Sequence, residues 1–270
     1  MEIPEPIRRS DEALHALFQR VAFSRYLNPI NGVEARHEFD NGSHVPPFRY
    51  QPLDIADNLL FELEEMNPPR DHPAGILVGR AIDGVRRMVR ALQHRTAAAF
   101  DAMNEAAGWY PSAALLEQQY VRGLPTEKMS VSALEMIECF EAAFAARNMD
   151  DWRVEPDSVM AARVLVDGAK RLIRVNPQSK FRPRDLTRLV VHEIDVHARR
   201  AINGSEQPLL CFSTGLPGSL ATEEGLAMVG EEISGTASPG VLARQAEVCR
   251  AIEHARHVGF RELYKGIAER

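Results

Sequence analysis

Cysteine is scarce in this chain of 270 residues: there are three, Cys139, Cys211 and Cys249, odd in number and far apart. They supply neither a disulfide framework nor a C-x-x-C zinc site, and they suit a reducing compartment. Long apolar runs are missing too. The best candidate, residues 74–92, is interrupted by Arg80, Asp83, Arg86, Arg87 and Arg90, whereas a membrane span needs roughly 18 or more uninterrupted apolar residues. The opening MEIPEPIRRSDEALHALF has no charged start followed by an apolar stretch, so it does not read as a signal peptide. Positive charge is not in excess either: 32 Lys and Arg face 38 Asp and Glu, a formal net charge of −6. That balance makes a poor general binder of phosphate backbones, and no nucleic-acid recognition motif is visible. The expectation is a cytoplasmic protein whose partners include neither nucleic acid nor membrane. Repeats and low-complexity tracts are absent as well.

What remains is ordinary globular composition, with 45% hydrophobic and 26% charged residues. At about 150 residues per domain the length suits one large or two modest domains. The first 150 residues read as mostly helical. Leu14, Leu17, Phe18 and Val21 mark one face of a helix over residues 11–26. Residues 54–66 and 74–93 follow the same period around the breaker NPPRDHP, and residues 28–52 form a connection whose PPFRYQP stretch should be extended. A further helix is expected over residues 130–147, with Ser130 as a possible N-cap. Beyond residue 150 the texture changes. MAARVLV (160–166) and RLIRV (171–175) read as a hairpin around Asp-Gly-Ala-Lys. Helices are then expected over residues 184–201, ended by Asn203-Gly204, over 222–234, and over 239–258. The predicted class is α+β, predominantly α, organised as a helical region over 1–150 and a site-bearing region over 151–270, or as one continuous domain.

The chemistry concentrates in HEIDVH, residues 192–197. Two neutral imidazoles with a carboxylate make a usual catalytic zinc set, and Glu193 beside the first His is placed to act as general base. The spacing is unusual. Residues four apart on an α-helix differ by roughly 40° about the axis, residues five apart by roughly 140°. His192 and His197 can therefore serve one metal only if the helix widens between them, as a π-bulge does. A third ligand is expected from Thr222-Glu223-Glu224-Gly225-Leu226-Ala227. Glu223 and Glu224 diverge by about 100° on a helix, so only one can readily reach the metal. The blander alternative is a helix start with Thr222 as N-cap and first-turn acids that favour the macrodipole.

The run IRVNPQSKF…LVVHEIDVHARRAINGSEQPLL…TEEGLA closely resembles the QEGLA-motif proteins. These include the bacterial flavohemoglobin expression-modulating QEGLA proteins, which are related to the vertebrate microtubule-associated tyrosine carboxypeptidases. The resemblance is densest over 173–227, with NPIN (28–31) and PPFRY (46–50) as further landmarks. It implies a zincin-like metallopeptidase core with a small antiparallel sheet, and one zinc ion per chain. By position, His192, His197 and Glu224 match the zinc ligands and Glu193 the catalytic base, while Glu223 falls where bacterial members often have Gln. The implied function is carboxypeptidase-like hydrolysis at a peptide or protein C-terminus. The zinc would lower the pKa of a bound water, and Glu193 would move its proton to the leaving amine. A substrate carboxylate would need a cation; Arg163, Arg171, Arg174 and Arg199 lie near the motifs and are not separated by sequence. Two departures stand out. Asp195 replaces the Gly or Trp of relatives, and relatives typically continue beyond the position of Arg270 with a segment expected to complete the cleft. The alternative reading is a metal-binding regulatory or interaction protein without turnover.

Overall fold

A computed structural model describes residues 2–117, 127–237 and 240–268. The helix Glu5–Arg20 follows Pro4 and buries Ile7, Leu14 and Leu17 along one stripe. It stops because Val21 is extended, and a separate short helix, Phe23–Leu27, takes up the remainder of the expected 11–26 segment. The longest helix, Pro73–His94, begins with proline at its first position, where the missing N–H costs nothing. The His72 side chain accepts from the Ala74 N–H, and Arg95 ends the helix in a left-handed conformation. Its buried residues Val78, Ile82, Val85, Val89 and Leu92 keep helical spacing. They form a first hydrophobic cluster with the Glu5–Arg20 and Ala56–Glu65 helices.

The helix Ala133–Ala146 is capped by Ser132, not Ser130: the Ser132 hydroxyl accepts from the Glu135 N–H while Glu135 takes the Ser132 N–H. This reciprocal box satisfies two orphan donors. The helix anchors a second cluster containing Met136, Phe140, Phe144, Trp152, Ile173, Phe181 and Ile194. Both clusters draw side chains from either side of residue 150, since Leu209 and Cys211 join the first. Asp11 ties the same junction, accepting from the backbone N–H groups of Leu210 and Cys211.

The expected hairpin exists. Val164–Asp167 pairs antiparallel with Leu172–Val175 around the 3-10 turn Gly168–Lys170. It is shorter than predicted, because residues 160–163 are not strand. The sheet also departs from a purely antiparallel one: Arg153–Pro156 pairs parallel with Leu172–Val175 on the opposite side. The order is therefore Arg153–Pro156, Leu172–Val175, Val164–Asp167, with Val164–Asp167 at an edge. A two-stranded antiparallel pair joins Val131–Ser132 to Lys180–Phe181. Within the 28–52 connection lies an unpredicted helix, Gly32–Asp40, while Pro46–Tyr50 runs without helix, as expected. Of the predicted 239–258 helix, Val241–Ala255 is described, and Pro239 lies outside the described residues. A last helix, Phe260–Ala268, packs aromatic rings of Phe260 and Tyr264 against Phe39. Among the described residues no helix is long and apolar enough to cross a membrane.

Candidate metal centre

One continuous helical rod carries HEIDVH, and its middle is not α. Pro183–Leu189 is α-helical, Val190–Ala198 is π-helical, and Arg199–Ser205 returns to α. The rod thus passes the expected Asn203-Gly204 stop. In the π segment the i→i+5 hydrogen-bond pattern makes residues five apart neighbours. His192 and His197 consequently face the same way, with ring centroids 5.0 Å apart. Ile194 and Ala198, fully buried, pin the opposite side of the turn in the second cluster.

The facing helix, Ser219–Ile233, starts three residues before Thr222. Glu223 and Glu224 are therefore not N-terminal acids, and Thr222 is not the cap. One Glu224 carboxylate oxygen lies 3.5 Å from His192 Nε2 and the other lies 3.5 Å from His197 Nε2. Glu223 points elsewhere, accepting from His197 Nδ1 at 2.8 Å. Glu231, two turns on, accepts from His192 Nδ1 at 2.8 Å. With each Nδ1 turned to a carboxylate, Nε2 is the imidazole nitrogen left to face a cation. One potential ligand atom from each of His192, Glu193 and His197 also lies within 4.8 Å of the others. Two histidines with the Glu224 carboxylate facing both Nε2 atoms are a fitting donor set for zinc.

The electrostatics follow from four carboxylates, Glu193, Glu223, Glu224 and Glu231, around two rings. Burial opposes protonation of His192, but Glu224, Glu231 and Glu193 outweigh it and raise its pKa to about 10. Burial likewise raises Glu193, which a general base requires. Glu224 is held low, chiefly by its hydrogen bond to His192. For Glu223 burial acts upward, yet His197 and Arg200 together pull it down.

These groups open onto a cavity of about 610 Å³. One wall is apolar and comes from the N-terminal helical region, including Phe18, Val85, Met88, Met103 and Trp109. The edge strand residues Val164, Leu165 and Val166 form another, and the loop around Pro217 a third.

A family model described as microtubule-associated tyrosine carboxypeptidase matches residues 36–270, a span that takes in the whole site. The chain belongs to this family. No curated protein and no solved structure compared with it matches. In this tyrosine carboxypeptidase relative, none of the four arginines singled out by sequence lines the cavity. Arg163 pairs with Asp185, Arg171 with Asp151, and the buried Arg174 with Asp157 and Asp167. Arg200, which sequence reasoning missed, does line it. Its Nη1 donates to the carbonyls of Phe212 and Ser213, and its Nε lies 3.1 Å from Glu223. Glu231 and Arg188 were missed as well; Arg188 had a signal in its spacing of four residues before His192 on the same rod, and Glu231, on the facing helix, had none. Asp195 turns away from the imidazoles and forms a two-pronged pair with Arg147, at 2.6 and 2.9 Å.

Proposed function

We propose that the protein is a zinc-dependent, carboxypeptidase-like metallopeptidase. His192, His197 and Glu224 would hold one zinc ion per chain, and Glu193 would serve as general acid and base. The observation that carries this reading is the approach of both Nε2 atoms to the two oxygens of Glu224, each at 3.5 Å. A zinc ion bound there would supply a Lewis acid and make water nucleophilic near neutral pH.

The remaining work falls to the chain itself. Glu193, half-buried beside the imidazoles, takes the proton of the attacking water and delivers it to the leaving amine. Among the described residues the edge strand Val164–Asp167 has one side unpaired with other strands, so an extended peptide can add to it by backbone hydrogen bonds. The apolar wall of the cavity accepts a side chain next to the scissile bond and keeps bulk water out. Family membership supports a peptide or protein C-terminus as the substrate.

The test is elemental analysis of wild type, His192→Ala and Glu224→Ala, followed by a peptidase assay of Glu193→Gln. Near one zinc in wild type, lost from the first two variants, with Glu193→Gln loaded but inactive, is the expected result. Zinc bound without turnover in wild type, and unaffected by Glu193→Gln, would instead leave a non-catalytic metal-binding protein.

A further inference from the structure

We propose that Glu223 and Glu231 are positioning residues, each aiming one imidazole so that both Nε2 atoms converge at Glu224; this rests on the metal-site reading above. Glu231 is only 2% exposed and Glu223 is 10% exposed at its side chain. Burying a carboxylate is costly unless it is paired and hydrogen-bonded, so two such groups on one helix call for a reason.

The arrangement is similar at both ends of the π segment, with a hydrogen bond from arginine to glutamate at one end and an ion pair at the other. Arg188, four residues before His192, lies 2.8 Å from Glu231 Oε1, and that oxygen also accepts from His192 Nδ1 at 2.8 Å. Arg200, three residues after His197, lies 3.1 Å from Glu223 Oε1, and that oxygen accepts from His197 Nδ1 at 2.8 Å. Each histidine is thus braced by a carboxylate from the facing helix, and each carboxylate by an arginine from the histidine's own rod.

Neither arginine depends on its glutamate alone. Arg188 already pairs with Asp185 at 3.1 Å, and Arg200 with two backbone carbonyls. Compensating an arginine can explain Glu223, the carboxylate beside Arg200, but less well Glu231, whose Arg188 already has Asp185; the contact common to both glutamates is the one to an imidazole Nδ1. A carboxylate on Nδ1 fixes the ring plane and holds a proton on that nitrogen, so that Nε2 is the nitrogen turned to the metal.

The experiment is zinc affinity by competition with a fluorescent chelator, for wild type and for Glu223→Leu, Glu223→Gln, Glu231→Leu and Glu231→Gln, alongside thermal melting. Loss of the acceptor should weaken zinc binding by about 10–100-fold in the leucine variants. Glutamine, which retains an oxygen for Nδ1–H, should restore most of it even where the melting temperature stays lowered. Leucine variants that fold and bind zinc within twofold of a tightly binding wild type overturn the inference and leave the metal site standing. A wild type that binds no zinc overturns the metal site itself, and the inference with it. Where a leucine variant does not fold, long-range 1H–15N spectra of zinc-loaded wild type decide. Both rings coordinated through Nε2 with protonated Nδ1 support the inference, and a ring coordinated through Nδ1 overturns it.

Discussion

His192 and His197 stand five residues apart in the chain, yet their ring centroids are 5.0 Å apart. An α-helix would swing them roughly 140° around the axis. The π segment Val190–Ala198 removes that divergence, and the facing helix must come close enough to complete the site. Gly230 lies at that contact: a Cβ there would meet Val191 Cγ1 at 3.4 Å and Val196 Cγ2 at 3.6 Å.

Gly230 therefore tolerates one carbon and no more. Gly230→Ala should change stability by less than about 1 kcal/mol, since contact at those distances is ordinary and alanine favours helix. Gly230→Leu should cost about 1–3 kcal/mol by overpacking and push Glu223, Glu224 and Glu231 away from the imidazoles. Urea denaturation and zinc competition read the two effects; a leucine variant as tight as wild type would refute the packing argument.

Asp195 offers the opposite expectation. It lies inside HEIDVH but is exposed and held by Arg147 on the outside of the rod. An exposed ion pair contributes about 0–1 kcal/mol. Asp195→Ala should accordingly leave zinc affinity within about twofold and stability within about 1 kcal/mol. A large fall in zinc affinity would mean that this carboxylate acts on the metal site after all.

Much of this was legible in sequence, and what was not has physical causes. Long amphipathic helices such as Pro73–His94 announce themselves by a buried stripe, and the HExxxH spacing called for a widened turn if both histidines serve one metal. The helix Ala97–Ala107 escaped because its alanines give almost no contrast between faces and bury only Met103. The strand Arg153–Pro156 escaped because it is four residues long and mostly exposed. Resemblance pointed to Glu224, and the structure brings that residue to both Nε2 atoms. Glu231 could not be found that way. Its role depends on an antiparallel packing of two helices that no local pattern encodes.

Gly204 illustrates a second limit of local reading. In sequence it looked like a helix stop, but it lies inside Arg199–Ser205. Its reason is proximity: a Cβ would sit 2.3 Å from the Phe212 carbonyl oxygen and 2.6 Å from the Ser213 nitrogen. Both belong to the short helix Cys211–Thr214 that leads into the cavity-lining loop. Because backbone cannot step aside cheaply, Gly204→Ala should cost at least about 1–3 kcal/mol. It should also raise KM for peptide more than it lowers kcat, since the displaced loop lines the cavity. Unchanged melting and unchanged KM together would contradict the close approach.

Asp185 links the rod's stability to pH. It is buried, accepts from the Arg182 N–H at 3.0 Å, and pairs with Arg188 at 3.1 Å and Arg163 at 3.5 Å. Burial favours its neutral form, but these donors outweigh that and hold its carboxyl below the usual range. A carboxylate lowered on folding contributes stability above its unfolded pKa of about 3.9, and that contribution disappears as pH falls through the lower folded value. Asp185→Ala leaves Arg188 and Arg163 without this partner and should cost about 3–5 kcal/mol at neutral pH. The difference between wild type and variant should then shrink as the solution is taken from about pH 7 to about pH 3, because the wild type is losing what the variant never had. Urea midpoints measured for both proteins across that range test the sign directly. A gap that stays constant, or widens toward acid, would mean that the Asp185 charge is not what stabilises the folded rod.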